Sequence, residues 1–409
     1  MEPLRVLELY SGIGGMHFAL KESGIPAQVV AAVDINTTAN QIYSHNFPGT
    51  PLWNKTIEGL TLDDFNKLSF DMILMSPPCQ PFTRIGLQGD IADPRTKSFL
   101  YILDLLPRLC RLPRFILLEN VKGFESSSAR GRLVTTLIKC GYTLQEIMVS
   151  PTSVGIPNSR LRYFLMAKIS TEKVCTQISS KSCSCVGDKI SSDAIETKHL
   201  PLLNLNFEAF RHAAESDSTE QPTVLSLPHP DACQLEKEMQ GCHVLFKLET
   251  TKDAQRKMNQ NRDLSVRQIQ DFLEPQMEVH MEHYLLPPKT LLRYALILDI
   301  VRPTCRRSVC FTKGYGRYVE GTGSVLQCCM ETELESVFRG LDQYTEEEKL
   351  QQLLKLKLRY FTPREVANLM GFPQNFSFPE QIHTKQRYGV LGNSLNVVVV
   401  ARLLQLLVS

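Results

Sequence analysis

A mainly parallel α/β sheet covered on both faces is the fold class this sequence predicts, on two observations. Between residues 4 and 168, short near-continuous apolar runs alternate with segments whose apolar positions recur at helical period. Gly24 and Gly141 stand directly after two of those helical segments, where a left-handed C-cap is needed. In chain order the predicted strands are 4–9, 28–33, 70–75, 114–118, 142–149 and 162–168. The predicted helices between them are 16–23, 37–46, 97–110 and 129–140. Ligands on such sheets bind beyond the carboxyl ends of the strands, so function is sought there.

The texture changes from Ser170. Residues 170–192 hold seven serines and three cysteines with little apolar periodicity. The polar stretch to about 260 reads as a flexible insertion. Order is expected to resume near 264–300. Thr362, Pro363 and Glu365 have the pattern of a capped helix start, and Gly371-Phe372-Pro373 would end that helix. Val397–Val400 reads locally as strand.

Composition narrows the class. The 409 residues carry a formal charge of +2, which leaves no global electrostatic footprint for nucleic acid or membrane. With 43% apolar and 22% charged residues, the chain reads as an ordinary soluble globular protein of two to three domains. No run approaches the ~18 apolar residues of a membrane helix. Glu2 and Glu8 interrupt the start, so no signal-peptide core is expected. The twelve cysteines then read as reduced thiols in an intracellular protein. Cys183, Cys185, Cys328 and Cys329 lack C-x2-C spacing, and no metal site is expected.

Three strand ends carry chemistry. The first strand runs into Tyr10-Ser11-Gly12-Ile13-Gly14-Gly15 and then a helix. Glycines there let the backbone approach a ligand, and the helix start offers free N–H groups. Asp34 closes the next apolar run, 22 residues after Gly12, where a carboxylate would meet ribose hydroxyls. An ordinary strand–helix turn and a nicotinamide site compete. Against the nicotinamide site, His17 stands where G-x-G-x-x-G asks for glycine. At the second end, three prolines surround Cys79 in Ser76-Pro77-Pro78-Cys79-Gln80-Pro81, a rigid setting for a nucleophilic thiol. At the third, Glu119-Asn120-Val121 follows an apolar strand, where an acid either caps a turn or faces a ligand.

Together the set suits methylation of a pyrimidine at carbon 5. A thiolate added at carbon 6 makes carbon 5 nucleophilic, and an acid at nitrogen 3 stabilises the charge that develops. The methyl donor would be an adenosyl sulfonium held in the first loop.

LELYSGIGG, Asp34, PPCQPF, Glu119-Asn120-Val121, Arg160-Leu161-Arg162 and Gly392-Asn393-Ser394 resemble the ordered motifs of DNA-type cytosine-5 methyltransferases. The resemblance covers about 1–168 and 360–409. It implies a class I S-adenosylmethionine-dependent methyltransferase fold, a Rossmann-like mixed sheet with a smaller target-recognition domain. The implied layout is a catalytic domain at 1–168, the insertion at 169–260, the target-recognition domain at 261–383 and a segment completing the catalytic domain at 384–409. The resemblance further implies Cys79 as nucleophile, Glu119 at the cytosine edge, and Arg160 and Arg162 supporting the target base. For S-adenosylmethionine, whose product is S-adenosylhomocysteine, it implies contacts from Tyr10, Ser11, Gly12, Ile13, Gly14, Gly15, Asp34, Ile35, Ile57, Glu58, Ser76, Asn393 and Ser394.

Within that family the chain is similar to the short branch that modifies transfer RNA, on CFTKGYG at 310–316. That branch implies a cytosine in the anticodon loop of tRNA(Asp) and a cytoplasmic protein with some nuclear presence. Protein partners are not readable. Residues 302–317 carry Arg302, Arg306, Arg307, Lys313 and Arg317 with no acid, interleaved with Phe311 and Tyr315. Such residues neutralise phosphates and stack on bases, unless the segment is merely a solvated basic turn. Arg84, Arg306, Arg307, Lys313 and Tyr315 are therefore the candidate nucleic-acid contacts. A DNA methyltransferase with the same site and a non-catalytic nucleic-acid-binding protein remain as alternatives.

Overall fold

The computed structural model describes residues 2–82, 89–169, 250–275 and 281–409. Its frame is a seven-stranded sheet. In chain order the strands are β1 (Leu4–Leu9), β2 (Ala27–Val33), β3 (Leu52–Trp53), β4 (Met72–Met75), β5 (Phe115–Val121), β6 (Tyr142–Val149) and β7 (Arg162–Ile169). Across the sheet they lie in the order β3-β2-β1-β4-β5-β7-β6. The first five run parallel, and β7 inserts antiparallel between β5 and β6. The sheet is therefore mixed, as the family resemblance implies.

Helices α1 (Gly15–Glu22) and α2 (Thr37–Asn46) pack on one face; α3 (Leu62–Leu68), α4 (Lys97–Leu105) and α5 (Ser128–Lys139) pack on the other. Side chains alternate along β1, so Val6 joins the first core and Leu7 the second. Strand β3 and helix α3, which the apolar pattern does not announce, are short. Gly24 and Gly141 take the positive φ expected after α1 and α5.

The last helix, Val397–Val408, overturns the local strand reading of its first four valines. Asn396 caps it by accepting from the Val399 N–H at 3.1 Å and ties it down by donating to the Leu369 carbonyl at 3.2 Å. Val397, Val399, Val400, Leu403, Leu404 and Leu407 are buried, and the helix packs on α1. Burial outweighs the modest strand preference of β-branched residues. The stretch Thr384–Val408 is long and apolar enough to cross a membrane, yet here that apolar surface forms core.

A smaller sheet has the order β10-β9-β8, from β8 (Asp299–Val301), β9 (Ser324–Gln327) and β10 (Leu358–Arg359). The helix Pro363–Leu369 begins as its sequence predicts. Thr362 Oγ1 accepts from the Glu365 N–H at 3.0 Å, and Glu365 accepts from the Thr362 N–H at 2.9 Å. Glu365 also forms a buried pair with Arg359 at 2.7 Å.

Regular structure begins earlier than the insertion reading allows, with a helix at Thr251–Arg262. It buries no residue, so apolar periodicity could not reveal it. A Thr250–Asp253 capping box starts it, and Lys257 anchors it to Asp299 at 2.6 Å. Residues 170–249 of the expected insertion lie outside the described residues.

Candidate active site

The carboxyl ends of β1, β2 and β4, with β5, open onto one cavity of about 350 Å³, within the usual range for a small-molecule pocket. Tyr10, Ser11, Gly12, Ile13 and Gly15 line it from the β1–α1 turn, and Asp34 and Ile35 from the end of β2. Ser76 and Cys79 enter from the end of β4, Glu119 from β5, and Asn393 and Ser394 from the C-terminal segment. Arg160 and Arg162 complete the wall. Residues from across the chain, expected to converge, do so. Asn36, Gln80, Val121 and Gly392 line the cavity too; the last three stand inside the motifs that carry the resemblance, and Asn36 follows Asp34 by two residues.

Gly14, Ile57 and Glu58 are not on this wall. Gly14 has φ +85°, and a Cβ there would fall 2.5 Å from the Phe47 ring, so this glycine serves the packing of the turn. Ile57 is core, and Glu58 is exposed on the same short turn.

The β1–α1 turn is a formed cradle. Gly12 takes φ +53°, and a Cβ built on it meets nothing closer than 4.0 Å. The Gly12 N–H donates to Asp34 Oδ2 at 2.8 Å, and the Asn36 N–H donates to Oδ1 at 2.7 Å. Asp34 thus braces the turn while its carboxylate lines the cavity. Ser11 Oγ is buried on the same wall without a hydrogen-bond partner. A buried unpaired hydroxyl, free helix-start N–H groups and a carboxylate fit a ligand that carries amino-acid and ribose groups.

Cys79 sits partly open to that cavity. Pro77 and Pro78 stiffen its approach, and the Phe82 N–H donates to the Cys79 carbonyl at 3.0 Å to close the following turn. Cys79 shares this lining with the cradle residues, and its thiol feels the charges of Glu119, Arg162 and Arg160. Burial and the Glu119 carboxylate push the thiol pKa up, with Arg162 and Arg160 pulling against them.

Glu119 lies inside β5 rather than beyond its end. Pairing with β7 extends the strand, setting Glu119 opposite Phe164 and Val121 opposite Arg162. Side chains two apart share a face, so Arg162 reaches diagonally and places Nε 3.3 Å from Glu119 Oε1. Burial pushes the Glu119 carboxyl up and favours its protonated form, against the pull of Arg162 and Arg160.

Arg160 holds the site's walls together rather than offering a free guanidinium to a base. It is buried, and Nη1 donates to Cys310 Sγ at 3.2 Å and to the Phe311 carbonyl at 3.1 Å. Nη2 donates to the Gly392 carbonyl at 3.1 Å and to that of Ser394. It thereby joins the small-sheet region to the loop carrying Asn393 and Ser394. Burial raises the Cys310 thiol, but Arg160 and Arg162 outweigh it and leave the pKa below its ordinary value.

The basic, aromatic run 302–317 corrects the sequence expectation. Tyr315 is buried, donates to the Ser324 carbonyl at 2.7 Å and accepts from the Phe361 N–H at 2.9 Å, so it presents no face to a base. Arg307 is buried against Asp299 at 2.9 Å. Arg306 donates to the Val266 carbonyl. Lys313 alone of the four is exposed. Arg84 lies outside the described residues.

Beneath the cradle runs a chain the motifs did not announce. Tyr43 donates to Glu8 Oε2 at 2.7 Å, and its hydroxyl lies 2.9 Å from His17 Nδ1. Burial pushes Glu8 up to about 8 and His17 down to about 3.

A family model described as C-5 cytosine-specific DNA methylase matches residues 4–409. A human relative, tRNA (cytosine(38)-C(5))-methyltransferase, is 56% identical over 407 residues, covering 100% of both chains. A Dictyostelium discoideum relative, DNA (cytosine-5)-methyltransferase, is 35% identical, covering 100% of this chain and 95% of that one. The crystal structure of S. pombe Dnmt2 methyltransferase superposes with a TM-score of 0.69 at 33% identity, covering 100% of this chain and 98% of that one.

Proposed function

The chain belongs to the C-5 cytosine-specific DNA methylase family, and from that premise we propose that it methylates carbon 5 of cytosine 38 in transfer RNA, tRNA(Asp) foremost. The observation that carries the chemistry is the meeting of Cys79, Glu119 and Arg162 on the wall that also holds the β1–α1 cradle. The human relative's name supports the RNA substrate.

Each residue's part follows from its surroundings. The Cys79 thiolate forms a bond to carbon 6 of the cytosine. Glu119, favoured in its protonated form by burial, delivers a proton to nitrogen 3 and neutralises the charge that develops there. While ionised, Glu119 adds to burial in raising the Cys79 pKa; once protonated, it drops out and leaves the two arginines to work against burial alone. Arg162 holds the Glu119 carboxyl in place. The cradle, Asp34, Ser76, Asn393 and Ser394 would hold S-adenosylmethionine, which supplies an electrophilic methyl group and leaves as S-adenosylhomocysteine. The carbon-5 proton passes to solvent, nitrogen 3 returns its proton to Glu119, and elimination of the Cys79 thiolate restores the ring.

The test is methyl transfer from labelled S-adenosylmethionine to tRNA, with Cys79→Ala and Glu119→Gln alongside. Turnover on tRNA that Cys79→Ala abolishes supports the reading; wild-type turnover in Cys79→Ala overturns the covalent route. The Dictyostelium relative's name favours a second reading, DNA as substrate. Parallel assays on duplex DNA at matched salt decide between them, and faster DNA turnover would overturn the RNA assignment.

A further inference from the structure

We propose that Tyr318, with Arg317 against its ring, is a stacking platform for a base flanking the target cytosine. This inference rests on the RNA reading above. Its starting point is the contrast within one loop. Phe311 and Tyr315 are each 2% exposed, whereas Tyr318, three residues on, is 58% exposed.

The loop that carries Tyr318 starts on the active-site wall. Cys310 and Phe311 are held by Arg160. Gly392, itself on the cavity wall, presses so closely that a Cβ there would fall 2.2 Å from the Lys313 nitrogen. From Lys313 the chain turns tightly, with the Arg317 and Tyr318 N–H groups both donating to the Gly314 carbonyl at 2.9 Å. The Tyr318 ring returns over that turn: a Cβ on Gly314 would lie 3.0 Å from its Cδ2 atom and 3.3 Å from the Thr322 methyl. Gly314 follows Lys313 directly, its Cα about 3.8 Å along the chain. Two close approaches, Gly392 to Lys313 and Gly314 to Tyr318, thus lead from the cavity wall to the ring, which itself stands outside the cavity lining.

Its surroundings suit a nucleic-acid base. The Arg317 guanidinium lies 5.1 Å from the ring centroid, and Arg317 and Lys313 are both exposed. Glu320 is the one exposed acid within the turn's next residues. An aromatic ring with an adjacent guanidinium gives a flat π-face and a positive charge, the combination that binds unstacked bases and their phosphates. Single exposed aromatics are common on surfaces. Tyr318 differs in lying close over Gly314, whose neighbour Lys313 packs against Gly392 of the cavity wall.

The experiment measures methyl transfer by the full chain on a tRNA transcript, with separate KM values for tRNA and S-adenosylmethionine. Tyr318→Ala should raise the tRNA KM roughly ten- to a hundredfold. The S-adenosylmethionine KM and the Tm should hold, which excludes a folding defect. Tyr318→Phe keeps the π-face and should behave as wild type. A transcript with an abasic residue next to cytosine 38, on one side or the other, should cost wild type a similar factor. The same transcript should cost Tyr318→Ala nothing further. An unchanged tRNA KM in Tyr318→Ala, or losses that add on both abasic transcripts, overturns the proposal. A wild-type enzyme inactive on tRNA instead sinks the RNA reading, and this inference with it.

Discussion

The strand ends of the large sheet and the basic run at 302–317 both carry polar and aromatic residues, yet the fold uses them oppositely. At the strand ends Cys79, Glu119 and Asp34 face a shared cavity. In 302–317, Arg307 and Tyr315 turn inward and find protein partners. The difference lies in topology rather than composition. Parallel strands must end somewhere, and their carboxyl ends leave a crevice that helices on either face do not fill. The 302–317 segment instead wraps the small sheet, where Asp299 and the Ser324 carbonyl demand partners of their own.

The largest expected effect separates the two regions outright. Cys79→Ala should lower turnover by at least about 10³-fold while leaving the unfolding midpoint near wild type. Tyr315→Ala should do the reverse in kind, costing roughly 3–5 kcal/mol of stability by urea denaturation. Tyr315→Phe, which strands the Ser324 carbonyl and the Phe361 N–H, should cost about 1–3 kcal/mol. Were Tyr315→Phe instead stable and selectively weak for tRNA, the contrast between the regions would fail.

Glu8 sharpens the comparison, since it is a polar residue of the large sheet that behaves like Tyr315. Its carboxyl is pushed up to about 8 by burial, against about 4.5 unfolded. Between those values the folded chain holds a proton that the unfolded chain has released, so stability falls as pH rises through this window and levels above 8. Glu8→Gln removes that dependence. The stability of wild type relative to Glu8→Gln should therefore decline by a few kcal/mol from pH 5 to 8, read from denaturation curves at each pH. A constant difference would show that Glu8 is ionised in the fold.

Smallest is Lys313→Ala, on the exposed part of the basic run. Stability should stay within about 0.5 kcal/mol. The slope of log affinity for tRNA against log salt should fall by about one, the signature of one phosphate contact.

How much of this could be read from sequence follows the same division. The alternation of apolar runs and helical patterns gave the sheet, because continuous apolar strands buried on both faces have few other uses. Cys79 stood out through its prolines, and Asp34 through its spacing from Gly12. The position of Glu119 within β5 was not legible, because β7 extends that strand from 40 residues away. The helix at 397–408 was hidden because four consecutive valines satisfy a strand's local preferences, and only packing on α1 decides otherwise. The helix at 251–262 was hidden for the opposite reason, having no apolar face to display. The inward turn of Tyr315 depended on an acceptor nine residues away, the Ser324 carbonyl, and a donor forty-six residues away, the Phe361 N–H.

The central claim is that Cys79 bonds to the cytosine while Glu119 supplies the proton. Fluorine at carbon 5 of the target cannot leave as a proton, so elimination stalls and the adduct persists. A tRNA carrying 5-fluorocytosine at position 38, incubated with S-adenosylmethionine and the full chain, should give a species that survives denaturing electrophoresis. Mass spectrometry should place the crosslink on the Cys79 peptide, with no product from Cys79→Ala and much slower formation in Glu119→Gln. A crosslink on Cys310, the other thiol beside Arg160 and Arg162, or no crosslink under conditions of full turnover on ordinary tRNA, would contradict the account.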